Sequence, residues 1–362
     1  MLASRDKISI RQAIILFIMT VTSSSLRLFP AYAAKTGERA GWLSPLFAMI
    51  PFICLVYIIQ ALFKNNKEAN LSDVIYKVLG KVFGKAILIL YLIWMLILLG
   101  TFMRYFVERF LSSVLPNAPI HFFTVSLLAV VFFAVRGGIV YIARTTEILF
   151  LIFSIVFTLL FLLNLSNVEI INLFPVTHYD LWPVVKSSFA IIGLWCIFPF
   201  IFFFGDRIND KEHIKRFGLQ GTVYLVITAF MVLIQTIGSY GYSVIERVSL
   251  SYIFVIKSIS FLDTIERIES VALANWVIAD FVTISVVMYI LVNITKSLFS
   301  VSDEKSLVSP FTIFAFILSQ FIAGNRFELE NFSSYVLVPA TIVMGFAFPL
   351  IILILGKIRK KI

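Results

Sequence analysis

Ionisable side chains are scarce in the long apolar stretches of this chain, so those found there are the first candidates for chemistry. Asp280 is the deepest lone acid, about ten residues past Glu269 and followed by Thr283 and Ser285. A charged carboxylate in an apolar stretch is costly without a partner. Asp280 can carry a coupling proton, pair with a base from another segment, face water, or stay as a satisfied packing group. Arg104, Glu108 and Arg109 cluster at one end of an apolar run. Arg104 and Glu108 are one helical turn apart and can pair, which turns Thr101 and Tyr105 toward a site; the alternative is an interface anchor. Glu147 follows Arg144 by three residues, a spacing that allows an ion pair or a role in coupling. Arg27 suits an anionic solute, an outer gate, or a pairing with Glu108. His121, His178 and His213 fall in or beside loops without metal-ligand spacing, and there is no nucleophile–base–acid set and no phosphate loop. No catalytic residue, metal or cofactor is therefore expected, and the chain does not read as an enzyme.

Backbone is the second source of chemistry. Thr20-Val21-Thr22-Ser23-Ser24-Ser25 lies mid-run, with Pro30 beyond it. Serine is a poor helix interior and a good N-cap. One reading ends a half-helix near Thr22 and starts another near Ser25, pointing free N–H groups at a solute carboxylate. The other keeps one helix, with hydroxyls bonded to carbonyls four residues back. Gly193 and Pro199 interrupt a second run, as an unwound stretch or as a simple proline kink. The ligand-lining candidates are thus Thr22, Ser23, Ser24, Ser25, Leu26, Thr101, Tyr105, Gly193, Leu194, Trp195 and Thr283. Arg27, Glu147 and Asp280 are the candidates for gating or coupling.

The elements that must hold these residues are membrane helices. Of the 362 residues 60% are apolar and 14% charged, and 38 are phenylalanine. A soluble domain carries about a quarter charged residues, and could not bury this much apolar surface. Apolar windows of the length a bilayer requires occur at about 9–33, 41–62, 86–112, 120–136, 145–164, 184–205, 218–240, 270–297, 308–324 and 333–356. The expected architecture is all-α, a single integral membrane domain over 1–362, with one repeat over about 9–164, a second over about 184–324 and an extra span over about 333–356. Interrupted helices opening two halves point to an inverted-repeat transporter with a midplane site. Twenty of the 30 Lys and Arg residues fall on one side of the bundle, counting from Arg5, Lys7 and Arg11. That side is cytoplasmic by the positive-inside rule, which puts both ends inside. The net charge of +10 is this bias, so no nucleic-acid partner is expected. The first apolar run is too long for a cleaved signal. Cys54 and Cys196 lie in apolar runs and read as packing residues. Residues 70–83 pattern as an amphipathic helix on the inner leaflet, with Leu71, Val74, Ile75, Val78, Leu79 and Val82 on one face, and 250–268 as a shorter one on the outer side.

Several stretches, in order, carry a resemblance. They are Ile8-Ser9-Ile10-Arg11-Gln12; Leu28-Phe29-Pro30 with Gly37 and Ala40-Gly41-Trp42-Leu43-Ser44; Leu115-Pro116-Asn117-Ala118-Pro119; Arg144-Thr145-Thr146-Glu147; and Glu266-Arg267-Ile268-Glu269-Ser270 leading to Trp276. With them the chain resembles the spore germination permease family, the B subunit of endospore germinant receptors, within the amino acid–polyamine–organocation superfamily. The resemblance implies a LeuT-type fold with broken helices 1 and 6, a place in the spore inner membrane with an A subunit and a lipoprotein C subunit, and a small germinant such as an amino acid. Where relatives carry glycine in the first interruption, this chain has Ser23-Ser24-Ser25. An autonomous ion-coupled amino acid transporter is the alternative function. A membrane enzyme is disfavoured by short outer loops without clustered acids or histidines.

Overall fold

The computed structural model describes residues 6–113, 119–259 and 268–362. The Leu115–Ala118 part of the third family stretch and Glu266-Arg267 of the last lie outside the described residues, as does most of the second half of the outer amphipathic segment.

Helix α1 (Ile10–Gly37) starts on a capping box in which Ser9 Oγ accepts from the Gln12 amide and the Gln12 side chain accepts from the Ser9 amide. A 3-10 turn, Glu38–Leu43, leads into α2 (Ser44–Phe63). Then come α3 (Leu71–Leu79), α4 (Lys81–Ser113), α5 (Ile120–Gly137), α6 (Ile139–Asn164) and α7 (Leu181–Trp195). They are followed by α8 (Ile214–Tyr240), the short α9 (Tyr242–Ile245) and α10 (Ser251–Ile256), and α11 (Ile268–Phe299) and α12 (Val308–Phe321). The last stretch is α13 (Arg326–Phe332), α14 (Val338–Ile342) and α15 (Phe348–Ile358), joined by π-helical turns at Ser333–Leu337 and Val343–Ala347. The only β pairing among the described residues is a single parallel bridge between Ile8 and Ile208.

Among the described residues, eight continuous stretches are long and apolar enough to cross a membrane, and the first, Ile10–Phe63, has 54 residues. At 1.5 Å per residue that is more than twice the ~30 Å hydrocarbon core, so it supplies two crossings. Helix α12 has 14 residues behind a four-residue 3-10 turn, Glu304–Leu307. Together these reach about 29 Å and complete the ten crossings expected. The outer faces are apolar: Phe133 is 72% exposed, Ile148 65% and Phe321 82%. Such a surface is tolerable only against lipid.

Two sequence expectations need correction. The first interruption does not exist: α1 runs unbroken through Thr20–Ser25. The hydroxyls of Thr20, Thr22 and Ser25 donate to the carbonyls of Leu16, Ile18 and Val21 at 2.7–2.8 Å. This back-bonding satisfies them without a cap, so the amides after Ser25 stay in the helical ladder and offer nothing to a carboxylate. The second interruption does exist. Helix α7 ends at Trp195, and Phe198–Arg207 continues as a 3-10 segment kinked at Phe204 (φ −107°, ψ 30°).

The amphipathic stretch also differs at its end. Asn70 and Asp73 cap α3, which stops at Gly80 in the left-handed region (φ +81°). Glycine adopts that conformation without a Cβ penalty. Leu71, Val74, Ile75 and Val78 are buried as expected, against α4, α15 and the 3-10 segment rather than lipid. Val82 falls in α4 and is 79% exposed.

Helix α1 is the centre of the bundle, packed on α6, α7, α8 and α11. Near its start the chain is stitched to the far end of the broken span. The Ile8 amide donates to Arg207 O and the Asn209 amide to Ile8 O, both at 2.8 Å, and Lys7 Nζ meets Glu68 Oε2 at 2.8 Å. Arg207 pairs in turn with Glu304 at 3.4 Å.

Candidate functional site

Near the middle of α1 three crossings meet through polar atoms. Ser23 Oγ donates to Asp280 Oδ1 of α11, and Arg109 of α4 forms an ion pair with Asp280 Oδ2. Trp276 Nε1, one turn before Asp280, donates to both Ser23 O and Ser23 Oγ at 3.0 Å. The Arg109 guanidinium lies over the Trp276 ring, 3.8 Å from its centre, within cation–π range. Arg109, Asp280 and Ser23 are all buried. Arg109 stands near the outer end of α4, but helical side chains lean toward their own N-terminus. Its guanidinium therefore reaches back toward the membrane middle. Thr283 continues the seam, donating to Thr20 O at 3.0 Å and to Ala279 O at 2.7 Å.

One turn further along the same face of α1 is Arg27. Its guanidinium sits 3.2 Å from the centre of the Tyr105 ring. Tyr105 OH donates to Leu329 O at 2.7 Å and lies 2.5 Å from Ser333 Oγ, tying α4 to the last crossing. Among the described residues Arg27 has no ion-pair partner, and Glu108 pairs instead with Arg104 at 2.8 Å, the expected i,i+4 bridge. Above Arg27 opens a chamber of about 330 Å³ lined by Arg27, Tyr32, Lys35, Glu246, Arg247 and Glu330. Both signs of charge face it. Arg27 lines it, and Ser23 of the buried cluster lies one turn away on the same helix.

The opposite face of α1 carries the rest of the serine run. Thr22, Ser25 and Leu26 line a void of only about 20 Å³ with Trp195, Phe153 and Phe157, room for a single water. Ser24 is buried beside them in sequence. Gly193 does not open onto either space. A Cβ there would meet Val338 Cγ1 at 2.7 Å, so this glycine allows α7 to approach α14 closely. Leu194 is fully buried core. The hydroxyl of Thr101 is used within its own helix, on Ile97 O at 2.7 Å. Glu147 accepts from Gln12 Nε2 at 2.9 Å, and no ion pair joins it to Arg144 among the described residues. It links α6 to the inner end of α1.

The structure thus joins Ser23, Asp280 and Thr283 in one seam, gathers Arg27 and Tyr105 in a second layer, and leaves Thr101, Gly193, Leu194 and Glu147 apart from both. Sequence reading missed Arg109 as the partner of Asp280, since its position near a helix end reads as an interface anchor. Ser333 and Glu330 carried no signal within an ordinary last span. Trp276 was visible only as a landmark, although an indole N–H four residues from a buried acid is a ready donor to a common partner.

A helical membrane bundle with one crossing broken at mid-span and a charged chamber leading inward is a transporter-like architecture. Solved transporters share the fold. The crystal structure of MhsT in complex with L-phenylalanine superposes with a TM-score of 0.64 at 14% identity, covering 94% of this chain and 97% of that one. Mhp1, a nucleobase-cation-symport-1 family transporter in a closed conformation with bromovinylhydantoin bound, gives 0.64 at 11% identity, over 96% and 78%. The fold is the LeuT type that these transporters share, here with only the second of its two interruptions. Among sequences, spore germination protein KB of Bacillus subtilis strain 168 is 25% identical over 366 residues, covering 99% of this chain and 96% of the relative. Spore germination protein A2 of the same strain is 22% identical over 363 residues, covering 98% and 97%. The Spore_permease model, described as spore germination protein, matches residues 7–326, and the chain belongs to that family. It is a germination-related, multi-pass, permease-like membrane protein.

Proposed function

We propose that this chain is the B subunit of a nutrient germinant receptor in the spore inner membrane, with both ends cytoplasmic, and that it works as a sensor rather than an enzyme. It assembles with a membrane-bound A subunit and a lipoprotein C subunit, takes an amino acid or similar small germinant, and answers with a change of conformation. The observation that carries the reading is the 330 Å³ charged chamber lined by Arg27, one helical turn from Ser23 of the buried Ser23–Asp280–Arg109 cluster. Acidic and basic side chains together at its wall suit a zwitterion, and its floor is a contact that can swing. Arg27 acts as the outer gate, with Tyr105 beneath it. Asp280 and Thr283 report to α1 through Ser23 and Thr20, and Glu147 holds the inner end of α1. The two-repeat division, about 9–164 and about 184–324 with the added last span, assigns α1 and the broken sixth crossing to corresponding positions. A ligand shifts such a bundle only through unequal affinity for its arrangements, and a gate that closes over the site provides that inequality.

The test is germination of spores in which this chain and its companion subunits are the sole receptor, titrated with amino acids beside spores lacking this gene. Loss of the response in the deletion is expected. Purified chain in liposomes is tested in parallel with labelled amino acids. Concentrative uptake without partner subunits would overturn the receptor reading in favour of an autonomous ion-coupled transporter.

A further inference from the structure

We propose that Arg109 and Asp280 are the charge-reading site for an α-amino acid: the ligand carboxylate replaces Asp280 on the Arg109 guanidinium, and the ligand ammonium replaces Arg109 on the Asp280 carboxylate. This rests on the amino acid reading above and names the place where the ligand is recognised. Four observations support it. The two charges come from different crossings, α4 and α11, and meet beside the middle of α1. An isolated buried ion pair is weak evidence for stability, because desolvation offsets much of its attraction, so its retention in a membrane interior calls for another reason. A zwitterion entering between the pair adds no net charge, and each buried ion keeps a partner throughout the exchange.

The guanidinium is also arranged for a planar ligand. It sits over the Trp276 ring, 3.8 Å from its centre, and its Nε is buried without a hydrogen-bond acceptor. A carboxylate can engage such a fork with two parallel bonds, using a donor that Asp280 leaves idle. Ser23 Oγ lies at the junction, within 3.4 Å of Arg109 Nη2 and bonded to Asp280 and Trp276. It can follow either partner. Finally, the pair has a route in: Ser23 and Arg27 are one turn apart on α1 and Arg27 lines the chamber, so a ligand in the chamber reaches the cluster by passing Arg27. Exchange replaces a direct bond between α4 and α11 by two bonds through the ligand. The helices must part to admit it, and this is the differential affinity a sensor needs.

The test uses the full-length chain in nanodiscs and each of the twenty L-amino acids, with the carboxamide and desamino analogue of any that binds. In the wild-type chain each analogue is expected to bind at least tenfold more weakly than its parent. Asp280→Asn should abolish the preference over the desamino analogue, and Arg109→Gln the preference over the carboxamide. Either single change leaves a buried charge unpaired and can prevent folding. The double variant Arg109→Met with Asp280→Leu removes both charges and avoids that penalty; it should fold and bind no amino acid. Amino acid binding by the double variant at wild-type affinity overturns the proposal, as does a wild-type chain that binds parent and analogues alike. Absence of binding to the wild-type chain overturns it too. Spores responding to amino acids in that case leave the receptor reading standing, whereas spores that do not respond sink both.

Discussion

Replacing Gly345 by alanine tests how the broken crossing is held. Gly345 lies in the π-turn Val343–Ala347 and faces Cys196, where α7 gives way to the 3-10 segment. A Cβ on Gly345 would fall against the Cys196 carbonyl oxygen, 2.6 Å from the carbonyl carbon and 3.0 Å from Cys196 Cβ. Carbon atoms rest at about 3.5 Å, so the two main chains would have to part by at least about 0.9 Å, and the nearer carbonyl oxygen asks for more. Backbone cannot swing aside as a side-chain tip does. Overpacking a core costs about 1–3 kcal/mol and occasionally more, and Gly345→Ala belongs at or above the upper end. Gly193→Ala is the control on the same helix pair. It meets the Val338 side chain at 2.7 Å and the Val338 Cα at 3.3 Å, a milder clash than a carbonyl oxygen, and should cost about 1–2 kcal/mol. Thermal unfolding of the purified chain, followed by tryptophan fluorescence, should place Gly345→Ala at least ~4 °C below wild type and Gly193→Ala only ~1–3 °C below. If Gly345→Ala melts with wild type, or the order of the two is reversed, the close approach of the last crossing to the break is wrong.

Other perturbations follow from the same contacts. Tyr91→Phe leaves the Met344 carbonyl without the 2.6 Å bond it accepts; a loss of about 1–3 kcal/mol is expected in unfolding. Tyr105→Phe removes the bonds to Leu329 O and Ser333 Oγ but keeps a ring under Arg27. It should lower stability by about 1 kcal/mol and loosen the chamber floor, seen as faster labelling of a cysteine placed at Ser334 in the chamber wall. The Glu68 carboxyl, hydrogen-bonded to Lys7 and beside its charge, is held below the ordinary carboxylate range. A lowered folded value means the pairing is in place above the ordinary pKa of about 4.3 and lost as pH falls through the lowered one. A side-chain carbon titration by NMR should therefore show a midpoint below 4.3 that returns toward it in Lys7→Ala. Glu68 is 83% exposed, so Glu68→Gln at neutral pH should leave the melting temperature unchanged.

The spans were legible because a bilayer requires length and apolarity, and both are written locally in the chain. The break after Trp195 was legible for a similar reason, since Gly193 and Pro199 are local signals. The serine run misled because serine supports two outcomes of nearly equal cost, a cap or a hydroxyl folded back on its own helix. The choice between them is made by what surrounds α1. Asp280 was legible as an oddity, but its partner was not. Arg109 lies far from it in sequence, and only the lean of the side chain along a long helix brings the two together. The π-turns of the last crossing were illegible, because an apolar window fixes only that the segment crosses and carries no mark of a single-turn widening of the helix.

The phenylalanine-rich stretch after the break has a mechanical consequence. A 3-10 helix rises about 2.0 Å per residue and an α-helix about 1.5 Å. Phe198–Phe203, the six residues before the kink at Phe204, would therefore shorten by about 3 Å on rewinding to α. Their far end is fastened: Arg207 and Asn209 hold Ile8, and Arg207 holds Glu304. A stroke begun beside Cys196 would be passed through the kink at Phe204 to the opposite rim of the bundle, where it would tug on the foot of α1 and the approach to α12.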